Sequence, residues 1–276
     1  AHLLALVGPP LESSRRGWYR IAGGPGMTAS AALVTGASYG VGAATALALA
    51  RAGFDVAVSA TRLDHLAGTM GRLKSLNVRA VPVVLDLRAP ESIEAAFAKV
   101  TAEFGALDVL VNNAGAMVQK AAVDVTQAEW DEVFNTNVTG PFFLSQRFGR
   151  DLIERGRSGA LVNIASTHGL VGAAGRSTYG ISKAAVIHMT KMLAIEWAEH
   201  GIRVNAVAPG RLDTPSPSRA DTLSDPGYMQ AMLKRIPLHR LATAEEVAAA
   251  VCYLAGPGAA SITGHTLVLD GGLTSA

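Results

Sequence analysis

The chain has 276 residues, 49% of them hydrophobic and 17% charged, which is enough apolar material for a substantial core and too much for a disordered chain. Its 24 basic and 22 acidic residues leave a formal charge of +2, with no field strong enough to gather nucleic acid or an anionic membrane surface. Aromatics are scarce against Ala, Val, Leu and Gly, and no apolar run approaches the ~20 residues of a bilayer span, so a soluble, cytoplasmic α/β protein is expected.

Residues 1–26 differ in character from the rest. A short apolar start leads into Leu11-Glu12-Ser13-Ser14-Arg15-Arg16 and then the Gly23-Gly24-Pro25-Gly26 hinge before Met27. Arg15, Arg16 and Arg20 set against Glu12 give a faint likeness to an organellar transit peptide, but the segment is read as an N-terminal extension with Met27 as an alternative start. The remainder, 27–276, is taken as one domain.

From Ala31 onward short β-branched runs alternate with longer helical patterns. Strands are expected at Ala31 to Val34, Val56 to Ser59, Ala80 to Leu85, Leu107 to Asn112, Ala160 to Ala165, Arg203 to Ala208 and Thr266 to Leu269. Long crossovers between them imply a parallel sheet with right-handed connections and helices on both faces, a doubly wound Rossmann fold of seven strands.

After the first strand, Gly36-Ala37-Ser38-Tyr39-Gly40-Val41-Gly42 opens a helix over residues 41–52. Its glycines allow a tight turn and let backbone N–H groups approach a pyrophosphate. The spacing departs from the G-x-G-x-x-G dinucleotide fingerprint, so its place in the first strand-turn-helix unit carries the reading. The second strand ends without the carboxylate that would bind the ribose hydroxyls of NAD. Thr61 and Arg62 stand there instead, a hydroxyl and a cation suited to the 2′-phosphate of NADP, with Asp64 nearby. Asp86, with Leu87 beside it, ends the third strand where it would meet adenine, or would cap the helix that Pro90, Glu91 and Glu94 announce. Asn112-Asn113-Ala114-Gly115 ends the fourth strand, where consecutive Asn and Gly suit backbone lying against a ribose or an ordinary turn.

Ser166 follows the fifth strand and precedes Tyr179 by 13 residues. In Tyr179-Gly180-Ile181-Ser182-Lys183 a phenol and an ammonium stand at i and i+4 on one helix face. A free tyrosine titrates near ~10, and bringing it near neutrality takes about 4 kcal/mol of preferential phenolate stabilisation, part of which Lys183 would supply. Five tyrosines and six lysines make about 0.1 such pairs by chance, so the pair alone is suggestive only. Ser166 would hold a substrate oxygen for proton exchange with Tyr179, or simply start the loop Thr167-His168-Gly169.

The segment from Pro209 to His239, with five prolines and no strong periodicity, is expected to be a substrate-covering loop. Arg176, Arg211, Asp213, Ser216 and Arg219 near its mouth hint at a polyol, sugar acid or other anionic substrate. The lone Cys252, among Ala250, Val251 and Leu254, is read as a buried structural thiol. His168, His200 and His239 have no metal-ligand spacing, and no metal is expected.

Together these residues resemble the classical short-chain dehydrogenase/reductase family over essentially all of Met27 to Gly272, with members such as bacterial oxoacyl reductases and sugar or polyol dehydrogenases. The resemblance implies that Thr35-Gly36, Gly40 and Gly42 form the cofactor glycine motif. It makes Asn112 to Gly115 a sheet-stabilising motif and Asn137, Ser166, Tyr179 and Lys183 a catalytic tetrad. It further implies that Asn137, otherwise read as a helix-interior asparagine, holds a proton-relaying water. Lys183 would also bind the nicotinamide ribose, while Pro209, Gly210 and Thr214 would contact the carboxamide region. Tyr39 departs from the basic residue that NADP-using relatives often place there. The expected activity is hydride transfer between NADP, or else NAD, and a secondary alcohol or ketone, in a homotetramer. A 3-oxoacyl thioester reductase is the rival enzyme, and a redox sensor without turnover is the rival of another class.

Overall fold

The computed structural model describes residues 30–214 and 226–275; the N-terminal extension and the candidate mouth residues Ser216 and Arg219 lie outside them. The strands are β1 (Ala31–Val34), β2 (Asp55–Ala60), β3 (Ala80–Val84), β4 (Val109–Asn112), β5 (Gly159–Ile164), β6 (Ile202–Pro209) and β7 (Thr266–Leu269). All pair in parallel, in the order β3-β2-β1-β4-β5-β6-β7. The helices are α1 (Gly40–Arg51), α2 (Ala67–Leu73), α3 (Pro90–Phe104), α4 (Gln127–Phe134), α5 (Gly140–Glu154), α6 (Ser177–Trp197), α7 (Pro226–Arg235) and α8 (Ala244–Ala255).

Successive strand residues point to opposite faces, so the sheet builds two cores. Leu33, Leu110, Leu161, Val204 and Ala206 pack with Phe97, Phe104, Phe148, Leu152 and Leu193 of α3, α5 and α6. Val34, Val58, Val111, Val162 and Val207 face Leu47, Leu49, Leu73, Val247 and Val251 of α1, α2 and α8. Burial on both faces explains why these strands lack polar alternation.

Three expectations need correction. The fourth strand starts at Val109: Leu107 is apolar because it is fully buried ahead of the strand, while Asp108 ties that approach to β1 by accepting from the Ala31 N–H at 2.9 Å. Helix α3 is not capped by Asp86, since its N-cap is Ala89 with Pro90 in the first turn. The unpatterned segment from Pro209 is shorter than it looks, because Pro209 closes β6 and Pro226–Arg235 is helical. A proline at a helix start needs no N–H partner, so Pro226 begins a helix where composition suggests a loop.

The strand order reverses direction between β1 and β4. In an open α/β sheet the crevice at such a switch point, outside the carboxyl ends of the strands, receives ligands.

Candidate active site

Thr35 joins the two sides of that crevice. Its hydroxyl donates to Val111 O at 3.3 Å and accepts from the N–H groups of Asn113 at 2.9 Å and Ala114 at 3.0 Å. Asn113 returns the contact, donating through Nδ2 to Thr35 O and Gly36 O, both at 2.9 Å. Gly36 has φ +62 and lies so close to the turn after β4 that a Cβ there would stand 2.7 Å from Ala114 Cα. A side chain is therefore excluded both by backbone conformation and by space.

The turn ends at α1, whose N-cap Tyr39 is exposed and supplies no side-chain cap, leaving the first-turn N–H groups to an external acceptor. A Cβ on Gly40 would meet nothing within 4 Å, so backbone at this point faces open space. Ser38, Val41 and Gly42 share this turn, and Thr69 of α2 braces it by donating to Ala37 O at 2.7 Å. The donor set, the positive end of α1 and the open approach fit the pyrophosphate of a dinucleotide.

Beyond the glycine turn, Thr61 and Arg62 follow β2, both exposed. Asp86 is committed to Arg88, accepting from Nε at 2.9 Å and Nη2 at 2.8 Å, and this hydrogen-bonded guanidinium holds its carboxyl below the usual range. Leu87, next along, is buried.

The other end of the crevice holds Asn137, Ser166, Tyr179 and Lys183. Asn137 lies in a π-turn, Asn135–Thr139, between α4 and α5. This differs from the regular helix interior expected, and π-turns of this kind often re-aim side chains at functional sites. Its buried amide accepts from Ala116 N–H at 2.7 Å and donates to Ala116 O and to Ser182 Oγ, each at 2.9 Å. Ser182 in turn donates to Tyr179 O at 2.7 Å. Lys183 is buried and donates to Ile164 O, the last residue of β5, at 2.7 Å. Its Nζ stands 5.7 Å from the Tyr179 ring centroid, and burial lowers its pKa to about 8.

A Cβ on Gly115 would lie 3.3 Å from Asn137 Oδ1 and 3.6 Å from Lys183 Nζ, so the Asn113 to Gly115 turn runs directly against the pair. Ser166 is buried at the start of a 3₁₀ turn, its Oγ accepting from His168 N–H at 3.2 Å. The His168 ring then meets the Tyr179 ring edge-on, with centroids 6.1 Å apart. Pro209 ends β6, Gly210 donates to Leu269 O at 2.9 Å, and Thr214 is buried.

Two supports carry no local signal: Ser182 reads as an ordinary helix residue beside Lys183, and Thr69 as one of α2. Below the site, Asn112 donates to Asn163 Oδ1 at 2.9 Å and to Ser145 Oγ at 2.8 Å, and Asn163 to Thr190 Oγ1 at 2.9 Å. Asn163 had a legible signal, since a polar residue in the apolar run Leu161 to Ile164 must find a buried partner. Among the described residues no cluster of His, Cys, Asp or Glu could hold a metal ion, and no helix is long and apolar enough to cross a membrane.

Residues 36–274 match the family model described as enoyl-(acyl carrier protein) reductase. The chain is 39% identical to the 3-oxoacyl-acyl-carrier-protein reductase of Vibrio cholerae over 88% of its own length and 96% of that protein. It is similar to a short-chain type dehydrogenase/reductase from Mycobacterium marinum, with 35% identity, TM-score 0.84, and 90% and 97% of the two chains covered. A gluconate 5-dehydrogenase from Burkholderia cenocepacia, solved with NADP and tartrate, matches at 30% identity and TM-score 0.84 over 91% and 97%.

Proposed function

The chain belongs to the classical short-chain dehydrogenase/reductase family and is an oxidoreductase acting on a small-molecule secondary alcohol or ketone, and we propose that Tyr179 is the proton-transfer residue of its reaction. The observation that carries this reading is the placement of the Lys183 ammonium, fixed on Ile164 O and 5.7 Å from the Tyr179 ring centroid.

When bound, the nicotinamide supplies the hydride acceptor for oxidation and the donor for reduction. Ser166 hydrogen-bonds the substrate oxygen and presents it to the Tyr179 hydroxyl. In reduction Tyr179 gives its proton to the developing alkoxide; in oxidation it takes the proton of the alcohol. A cation this close, in a site shielded from solvent, favours phenolate over phenol. Asn137 acts further back, locking Ala116 and Ser182 and so holding the turn against Lys183. Pro209, Gly210 and Thr214 border the nicotinamide end, and Gly36 to Gly42, Thr61, Arg62, Asp86, Leu87 and Asn113 to Gly115 the rest of the cofactor. Tyr179→Phe keeps the ring and removes the proton: kcat is expected to fall at least about a hundredfold, with dinucleotide affinity retained by titration calorimetry. A variant that turns over normally rules the role out.

NADP is the favoured cofactor, supported by Arg62 at the end of β2, by the lack of a carboxylate at Ala60, and by the NADP found in the Burkholderia relative. Comparison of kcat/KM for NADPH and NADH tests it, with a preference for NADH counting against it. The substrate is either a polyol or sugar acid, as the gluconate enzyme suggests, or a 3-oxoacyl thioester, as the Vibrio reductase does. A panel of all three classes, read by nicotinamide absorbance, separates them. We place the protein in the cytoplasm as a homotetramer joined through α6 and β7. Ile181 and Ile195 on α6 and Val268 on β7 are exposed apolar residues of the sort an interface covers, and sedimentation velocity reads the stoichiometry.

A further inference from the structure

The ends of β2 and β3 leave the sheet side by side, with Ala60 opposite Val84 and Leu85 N–H donating to Ala60 O at 2.9 Å. The glycine turn is fastened to the same place from both directions. Ala37 N–H donates to Ser59 O at 2.9 Å, just before Thr61 and Arg62, and Thr69, just after them, holds Ala37 O. Arg62 is thus confined to the adenosine end of the crevice.

Its guanidinium is already engaged. Nε donates to Asp64 Oδ1 at 3.1 Å and Nη2 to Asp64 Oδ2 at 2.8 Å, a two-point fork of the kind a phosphate would take. Both side chains are well exposed, at 69% and 60%, so the pair is weak and open to exchange. Arg88, the other guanidinium at these strand ends, is held by Asp86 in the same two-point way. The four formal charges cancel. A phosphate monoester arriving at Arg62 meets a guanidinium that must release Asp64 and a carboxylate of its own sign.

We propose that Asp64 sets how strongly this chain discriminates a 2′-phosphorylated dinucleotide from an unphosphorylated one, by competing with the 2′-phosphate for Arg62. The inference rests on the cofactor crevice proposed above and concerns a residue that acts through another. Asp64 lowers a preference that Arg62 alone would make steep, leaving a site that takes NADP without strongly refusing NAD.

The probes are 2′,5′-ADP and 5′-ADP, titrated calorimetrically into the full chain as wild type, Asp64→Asn, Arg62→Ala and the double variant. Circular dichroism confirms the fold of each. Asp64→Asn is expected to tighten 2′,5′-ADP about three- to tenfold at low ionic strength, an advantage that shrinks as salt is added, and to leave 5′-ADP unchanged. Arg62→Ala weakens 2′,5′-ADP, and in its background Asp64→Asn adds nothing. The proposal is overturned if Asp64→Asn leaves 2′,5′-ADP affinity unchanged, tightens both nucleotides alike, or still acts without Arg62. Wild-type protein that binds neither nucleotide refutes the crevice reading itself, which separates that failure from failure of the Asp64 role.

Discussion

Lys183 is penalised for its charge by burial, and the same burial makes it useful. Its pKa in the folded chain is about 8 against an ordinary value of 10.5. Between those values the unfolded chain binds more protons, so this group's contribution to stability rises with pH across the window, and the cost of the buried ammonium is fully present below pH 8. Catalysis should respond in the opposite direction. The ammonium favours phenolate, the form that accepts the alcohol's proton, only while protonated, so kcat/KM for oxidation is expected to decline above about pH 8 with no matching loss of the folded circular dichroism signal. A profile that stays flat to well beyond that point removes Lys183 from control of Tyr179. The hydrogen bond to Ile164 O matters here, because it directs the Nζ by tying it to the end of a rigid strand rather than to a mobile loop.

Helices that frame the crevice are started by local chemistry. Thr126 and Thr243 form complete capping boxes with Glu129 and Glu246, each hydroxyl accepting from the N3 amide while the glutamate reaches back to the threonine N–H. At α8 the glutamate also forms a two-point pair with Arg240, at 3.0 and 2.7 Å, which with the Thr243 backbone bond pulls its pKa to about 2. Thr243→Ala should cost about 1 kcal/mol of global stability, visible as a lower denaturant midpoint with an unchanged slope, whereas Thr243→Ser should restore most of it. A Ser variant as unstable as the Ala variant would place the effect in packing rather than in the cap. Between α4 and α5 the π-turn shows the limit of local reading: no propensity in Asn135-Thr136-Asn137 announces it, and only packing between α4, α6 and the Asn113 to Ala116 turn gives Asn137 its partners.

At the scale of the whole molecule, the two cores meet across a sheet that shields its interior groups. Cys252 lies in α8 against the core that includes Val247 and Val251, and burial pushes its thiol up to about 12. Reaction with a thiol reagent is therefore expected to wait for unfolding, with labelling rates that follow denaturant concentration as global opening does. Prompt stoichiometric labelling of native protein would show that α8 opens on its own. The strand-helix alternation, the glycine turn, the Tyr179 and Lys183 spacing and the buried cysteine were all legible in the chain, because each depends on residues within a few positions of one another. The true end of the unpatterned segment at Pro226, the tie of Arg62 to Asp64, and the supports Thr69 and Ser182 were not. They depend on which side chains happen to meet, or on how a proline is used, and periodicity is silent on both. By itself the sequence determined a doubly wound parallel sheet and a phenol and ammonium one helical turn apart. Only the tertiary structure decided that Lys183 of this pair stands against the Asn113 to Gly115 turn and the end of β5, since contacts between residues dozens of positions apart arise when separate strands are brought into register and bury their common faces.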